Sequence, residues 1–458
     1  MKALPVSPTP HFRQVIQWIL DPVGYMRQNF ERCGDIFVAN VLPNGKNALI
    51  FVQEPKALQY LLTHDNGKTL TAPGDANSIL ESLLGSQGLV SIETLQHRQR
   101  RQLVMPPFHG NRVKAYGTII QQLTQEAIAQ WPMNQAVDVR TVMQKITMRV
   151  ILQAVFGLSA GPRHEALDQL LAKRLNMTSN PLSSAIIFFP WLQKDFGAWS
   201  PGYRIQQLAQ QTDDLLFAEI RERRTQTGGD RIDVLSLLLA ARDEDGNGLT
   251  DQELRDDLMT LLVAGHETTA TALTWAIYWI HTYPEVKQKL LDELGQSPAD
   301  PEQWMRAPYL DAVVNETLRI HPVGMLTFPR RVQRPLELCG YQLQPGQDVV
   351  GCIYLLHQRP DLYSAPQTFR PERFLERQFS PYEFMPFGGG VRRCVGTALA
   401  QAEMKIVLGT LLTQSNLALV NQQSVQPGRR GVTLGQRQSV KAQMLSRCTV
   451  DPKPLVQV

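Results

Sequence analysis

Two short apolar runs near the start of the chain, in "DIFVANV" and "NALIFV", stand on either side of the polar, turn-prone "LPNGKN". That pattern predicts a strand, a turn within "LPNGKN" and a second strand. From Asn111 to about Ser297 the period changes. "YGTIIQQLTQEAIAQW" and "VRTVMQKITMRVILQAVFGL" place apolar residues three and four apart, which predicts successive helices. The longest candidate is "TDQELRDDLMTLLVAGHETTATALTWAIYWIHTYP", where Thr250 and Glu253 form a capping box and Pro284 supplies the stop. At 1.5 Å per residue it would run about 45 Å. Later, "LELCGYQLQPGQDVVGCIYLL" predicts a hairpin turning at Pro345-Gly346. The expected fold class is therefore mainly α with smaller β-sheets. With no linker-like, repeated or low-complexity segment, one domain over residues 1–458 is expected, the first 20 or so forming a lead segment.

Composition narrows the functional classes. The chain has 458 residues, 43% hydrophobic and 19% charged, which suits a large buried core and excludes a disordered chain. A net charge of +4 gives no reason to expect a nucleic-acid partner. Cys33, Cys339, Cys352, Cys394 and Cys448 are widely spaced with no CxxC pair, which fits a reducing compartment and argues against a disulfide scaffold or a cysteine-rich zinc site. "VIQWIL" is too short for a signal core or a membrane span, so a cytoplasmic protein is expected. The apolar run "AIIFFPWL", Ala185 to Leu192, reads as a lid over a pocket, with peripheral contact to a membrane surface as the alternative.

The chemistry concentrates in "FMPFGGGVRRCVG". Val395, Leu399, Ala402 and Ile406 follow Cys394 at helical spacing, placing the thiol at or beside a helix N-terminus, where free N–H groups and the helix dipole favour a thiolate. Gly388-Gly389-Gly390 could lie flat beneath a planar ligand and Arg392 could reach an acidic edge. A flat, carboxylate-bearing ligand held through one soft sulfur is a heme. The plainer reading is a buried free cysteine beside a tight turn, which is the reading for the other four cysteines.

"FGGGVRRCVG" resembles the heme-binding loop of the cytochrome P-450 family of heme-thiolate monooxygenases, matching it at Phe387, Gly388, Gly390, Arg392, Cys394 and Gly396. "ETLR" resembles the family's ExxR helix motif at Glu316 and Arg319, and "FRPERF" brings Arg373, which closes a structural triad with that pair. "AGHETT" resembles the oxygen-activation motif. There Thr268 can bond the Ala264 carbonyl four residues back, and the resemblance implies proton delivery by Glu267 and Thr268. Further heme contacts are implied at His97 and Arg101 in "LQHRQRRQLVMPPF" and at Arg330 in "TFPRRV".

The resemblance implies a single cytochrome P-450 domain binding heme b through Cys394. One atom of O2 enters a C–H bond of a hydrophobic substrate, a hydroxylation. Electrons would come from a separate ferredoxin or flavodoxin and its reductase, because no reductase-like domain follows. The protein is expected to be a monomer. Arg98, Arg100 and Arg393 are candidates for a basic patch that docks an acidic carrier. By family position the pocket is expected around Leu80, Leu83, Leu84, Val263, Ala264, Met325, Leu326, Phe328, Val432 and Thr433. That wall suits a fatty acid, alkane, terpenoid or retinoid-like molecule, and the chain is similar to cyanobacterial and long-chain-oxidising members.

Three lookalikes fail. "HETTA" has Ala270 where a zinc protease needs its second histidine, and "DEDGNGLTDQEL" has Leu254 where a calcium loop needs Glu. "GGGVRR" lacks the third glycine of a dinucleotide loop. The rival functions are a peroxide-dependent peroxygenase on the same heme, a heme carrier or sensor without turnover, and a helical binding module without heme.

Overall fold

A computed structural model describes residues 3–43, 48–157, 161–178, 180–226, 233–243, 245–295, 300–420 and 424–447. Residues 44–47 of the expected turn, and Cys448, lie outside the described residues. The long helix runs over Asp251–Thr282, about 48 Å at 1.5 Å per residue. Its start is fixed reciprocally: the Thr250 hydroxyl accepts the Glu253 N–H, and the Glu253 carboxylate accepts the Thr250 N–H. Proline at 284 opens the following helix, Pro284–Gly295.

The central helix is buried on most of its circumference, so its sequence is apolar nearly all round. It packs most extensively on the helix Val139–Phe156 and also on Pro308–Ile320 and Thr397–Gln414. Gly265 allows the first of these approaches. A Cβ there would come within 2.7 Å of Ile151 Cδ1, so this glycine, unexpected in an apolar helix, is explained by close packing. The main core joins these helices with Asn111–Gln130.

The two predicted N-terminal strands form as Ile36–Ala39 and Leu49–Val52, antiparallel with Ile36 opposite Val52. They belong to a mixed five-stranded sheet. Leu49–Val52 runs parallel to Asp348–Gly351, which pairs with Arg330–Val332, which pairs in turn with Leu70–Thr71. The predicted hairpin is displaced. Leu336–Leu338 pairs with Tyr341–Leu343 across Cys339-Gly340, both at positive φ (52° and 78°), as a two-residue primed turn requires. Pro345-Gly346 instead turns the chain into the larger sheet, with the Gly346 N–H on the Val332 carbonyl. A strand at Ala136–Asp138, inside the stretch read as helical, pairs with the remote Lys441–Arg447.

A second core packs Trp18 of the N-terminal helix His11–Leu20 against Phe51, with ring centroids 5.5 Å apart, and takes in Phe188 and Met325. No helix among the described residues is long and apolar enough to cross a membrane.

Several buried histidines stay neutral. Burial, aided by the nearby Arg319 cation, pushes His321 and His357 down to about 3, and burial pushes His266 and His281 down to about 4. His321 is stacked between Trp275 and Trp279, at centroid distances of 3.6 and 5.6 Å. In the unfolded chain these rings titrate near their ordinary value of about 6.5. Their contribution to stability is therefore complete above pH 6.5 and is lost as pH falls toward 3–4, at about 1.4 kcal/mol per pH unit for each ring. Urea unfolding midpoints are expected to fall steadily from pH 7 to pH 5. A flat profile over that range would contradict the burial of neutral rings.

Candidate functional site

One cavity of about 710 Å³ lies where these elements meet. The central helix borders it with Ala264, Gly265 and Thr268, and the chain before Cys394 with Phe387, Gly388 and Arg392. The thiol of Cys394 opens into this space although protein surrounds it at greater range. Burial pushes the thiol up, while the Gly396 N–H, the Thr397 hydroxyl, Arg101 and Arg393 act in the opposite direction. Three residues on, at Thr397, the helix Thr397–Gln414 begins with Gly396 as its N-cap.

Each glycine of the loop answers a separate steric demand. Gly388 has φ +67° and open space where a Cβ would stand, leaving bare backbone at the cavity wall. Gly389 faces Leu62, whose Cδ1 would lie 2.7 Å from an added Cβ. Gly390 has φ +65°, and its Cβ would lie 2.1 Å from Asp65 Oδ2. That carboxylate accepts the Val391 N–H at 3.0 Å and pairs with Arg330 Nε at 2.8 Å. Arg330 also donates to the Gly389 carbonyl at 2.9 Å.

Behind the loop, Glu316, Arg319 and Arg373 form a fully buried cluster. Arg319 Nε and Nη2 reach the two Glu316 oxygens at 2.7 and 2.9 Å, and Arg373 Nε reaches the same carboxylate at 3.0 Å. Arg319 donates to the His357 carbonyl at 2.8 Å, and His357 Nε2 accepts the Met385 N–H at 2.9 Å. Only a neutral imidazole can accept there. The triad thus holds the chain two residues before Phe387.

The expected cations divide. His97 and Arg101 both border the cavity. Burial, then the charges of Arg392, Arg101 and Arg330, push His97 down to about 3, so it is a neutral hydrogen-bonding group. Arg101 donates to the Arg393 carbonyl and has no carboxylate partner among the described residues. Arg392 reaches the cavity edge, but its donors go to the carbonyls of Ala72, Leu89 and Ile92 at 2.7–2.8 Å, tying the loop to the segment before His97. Arg330 is placed under the loop and not in the cavity wall, because Asp65, Phe328 and Gly389 take its donors. Arg98 is exposed away from the cavity, and Arg393 is exposed at its border. Arg100 is not part of a surface patch: it is buried and paired with Asp257 at 2.8 Å and with Glu253.

On the central helix the Thr268 hydroxyl donates to the Ala264 carbonyl at 2.5 Å. Glu267 points away from the cavity, to Arg140 and, at 2.9 Å, to Gln144 Nε2. Leu80, Met325, Leu326, Phe328, Val432 and Thr433 line the cavity. Leu83, Leu84 and Val263 do not: Val263 packs into the main core, Leu84 is buried, and the Leu83 carbonyl accepts from Arg174. Asp65, His357, Arg140 and Gln144 carry no motif, and only a search for buried charges needing partners could have found them.

The residues fit a flat, acidic cofactor bound through sulfur. The fit rests on a thiol open to the cavity, bare glycine backbone beside it, and an Arg101 charge that no carboxylate among the described residues neutralises. A family model described as Cytochrome P450 matches residues 5–441. Cytochrome P450 135B1 of Mycobacterium tuberculosis is 36% identical over 405 residues, 88% of this chain and 83% of the relative. Cytochrome P450 138 of the same organism is 32% identical over 426 residues, 92% of each. The solved structure described as retinoic acid bound cyanobacterial CYP120A1 has a TM-score of 0.84 at 23% identity, over 98% of this chain and 100% of that one. The cytochrome P450DA heme domain gives 0.81 at 21% identity, over 97% and 98%. At those identities the two structures speak for the fold.

Gly390→Ala is expected to cost about 1–3 kcal/mol, because positive φ and the Asp65 carboxylate both oppose a side chain. Denaturant unfolding and heme content after gel filtration should both fall. Wild-type values for both would show that the loop has slack there.

Proposed function

The chain belongs to the cytochrome P450 family, a heme monooxygenase that binds heme b, and from that premise we propose how its own residues serve the reaction. Cys394 would hold the heme iron through Sγ. The single observation that carries this assignment is the opening of that thiol into the cavity walled by Thr268 and Ala264. Bound heme supplies activation of O2 for insertion of one oxygen atom into a C–H bond.

Neutral His97 and charged Arg101 receive the acidic edge of the cofactor. Arg392 and Arg330 act indirectly, fixing the loop backbone through carbonyls and Asp65. Thr268 spends its proton on Ala264, so its oxygen lone pairs remain free to accept from water in the cavity. Glu267 is a proton reserve held on the outer side of the helix, and it delivers only after leaving Arg140 and Gln144. Exposed Arg98 and Arg393 suit an acidic ferredoxin or flavodoxin, which with its reductase would supply electrons.

The substrate is a hydrophobic molecule. Leu80, Met325, Leu326 and Phe328 support this reading, as does the solved neighbour described as bound to retinoic acid. Ile187, Phe188 and Pro190 border the cavity while Trp191 is exposed, which favours Ala185–Leu192 as a lid.

Cys394→Ala should abolish the thiolate-type ferrous carbonyl band; persistence of that band would exclude the assignment. Thr268→Ala should lower product formation roughly 10²-fold in a ferredoxin-driven assay, with reductant diverted to peroxide and substrate affinity held. Full activity in that variant, or turnover with peroxide and none with ferredoxin, would remove the proton-delivery role.

A further inference from the structure

Arg429 is a buried cation without a counter-ion in the wall of this same cavity. It is 2% exposed and lies on the strand Pro427–Arg430. Its guanidinium carbon sits 4.9 Å from the ring centroid of Trp18 and 4.9 Å from that of Phe188, so two aromatic faces receive its charge. Nε and Nη2 donate to the Trp18 carbonyl at 3.1 and 2.7 Å, and Nη1 to the Gly431 carbonyl at 3.2 Å. A guanidinium has five N–H groups, so Nη1 and Nη2 each retain one without an acceptor among the described residues. No carboxylate pairs with it there either.

Glu403, which borders the cavity from the helix Thr397–Gln414, is pushed well up by burial and forms no ion pair with Arg429 among the described residues, and the other acids are committed elsewhere. Glu267 belongs to Arg140 and the neighbouring Arg430, and Asp348 and Asp75, which also border the cavity, belong to Arg331. Burial pulls the Arg429 guanidinium down to about 9, the direction an unpaired buried charge takes. A brace between the N-terminal helix and the strand would need only neutral donors. A charge there costs desolvation that two carbonyls and two rings offset in part. The surrounding wall, with Trp18, Ile187, Phe188 and Val432, is apolar.

We propose that Arg429 receives the carboxylate of the substrate, so that the protein acts on long-chain or polyene carboxylic acids in preference to neutral hydrocarbons. Planar Nη1 and Nη2 present a two-pronged match to a carboxylate. With the acid end held among Trp18, Phe188 and Arg429, the carbon exposed to oxidation is set by chain length, and it lies away from the carboxyl group. This assignment rests on the reading of the cavity as the substrate chamber.

The test titrates the heme-loaded protein with myristic acid, methyl myristate, retinoic acid and retinol, following the heme absorbance. Wild type should bind each acid at least about 10-fold more tightly than its neutral counterpart, the factor given by 1.4 kcal/mol. In Arg429→Gln the ratio of acid to neutral affinity should fall to about 1, and Arg429→Lys should recover part of it. Equal wild-type affinities for acid and neutral ligand would overturn the assignment of Arg429 and leave the hydrophobic-substrate reading standing. An undiminished ratio in Arg429→Gln would do the same. Silence with all four compounds would count against both. Should Arg429→Gln fail to load heme, the wild-type ratio alone still decides.

Discussion

The cysteine loop depends on one carboxylate. Asp65 lies beneath it, accepts the Val391 N–H and holds Arg330, which in turn holds the Gly389 carbonyl. A buried ion pair of this kind gains little over an apolar substitute, but losing one partner strands the other. Its value here is geometric. The pair fixes donor and acceptor groups on both sides of Gly390 and thereby dictates the positive φ that only glycine adopts at low cost. The Glu316 cluster does the same from behind, through His357 and Met385. Two sets of buried charges therefore constrain the approach to Cys394 from independent directions.

Much of this was legible in the chain because the relevant interactions are short in sequence. Thr250 and Glu253 sit three apart, as do Glu316 and Arg319, and Thr268 reaches back four residues. Helical geometry alone brings such pairs together. The loop was equally readable, since glycine and cysteine are residue types whose chemistry survives without context. What periodicity could not reveal was partner choice. Arg100 reads as one of several surface cations, yet it crosses 157 positions to Asp257. Arg330 reads as a ligand-facing cation and crosses 265 positions to Asp65. The hairpin was misplaced because Pro-Gly is the stronger local turn signal, while the pair at Cys339-Gly340 depends on a cysteine accepting a left-handed conformation.

Cation placement gives the cavity two characters. Near Cys394 the guanidinium groups of Arg392 and Arg330 are absorbed by backbone carbonyls and Asp65, which leaves Arg101 and Arg393 as the charges bordering the cavity there. Between Trp18 and Phe188 a second charge stands in an apolar wall. Much of the remaining lining is aliphatic and aromatic, with polar groups such as Asn77, Thr327 and Asp348 interspersed.

The contact between Arg429 and the Trp18 carbonyl spans 411 positions. During synthesis the wall containing Trp18 cannot be completed until nearly all of the domain has emerged from the ribosome. Cys394 and its loop are made before that final closure. Such long-range contacts form late and slowly, since chain entropy opposes them until the rest is in place. Completion of that part of the chamber wall therefore waits on the last segments of the domain, whose docking joins the two ends of the chain.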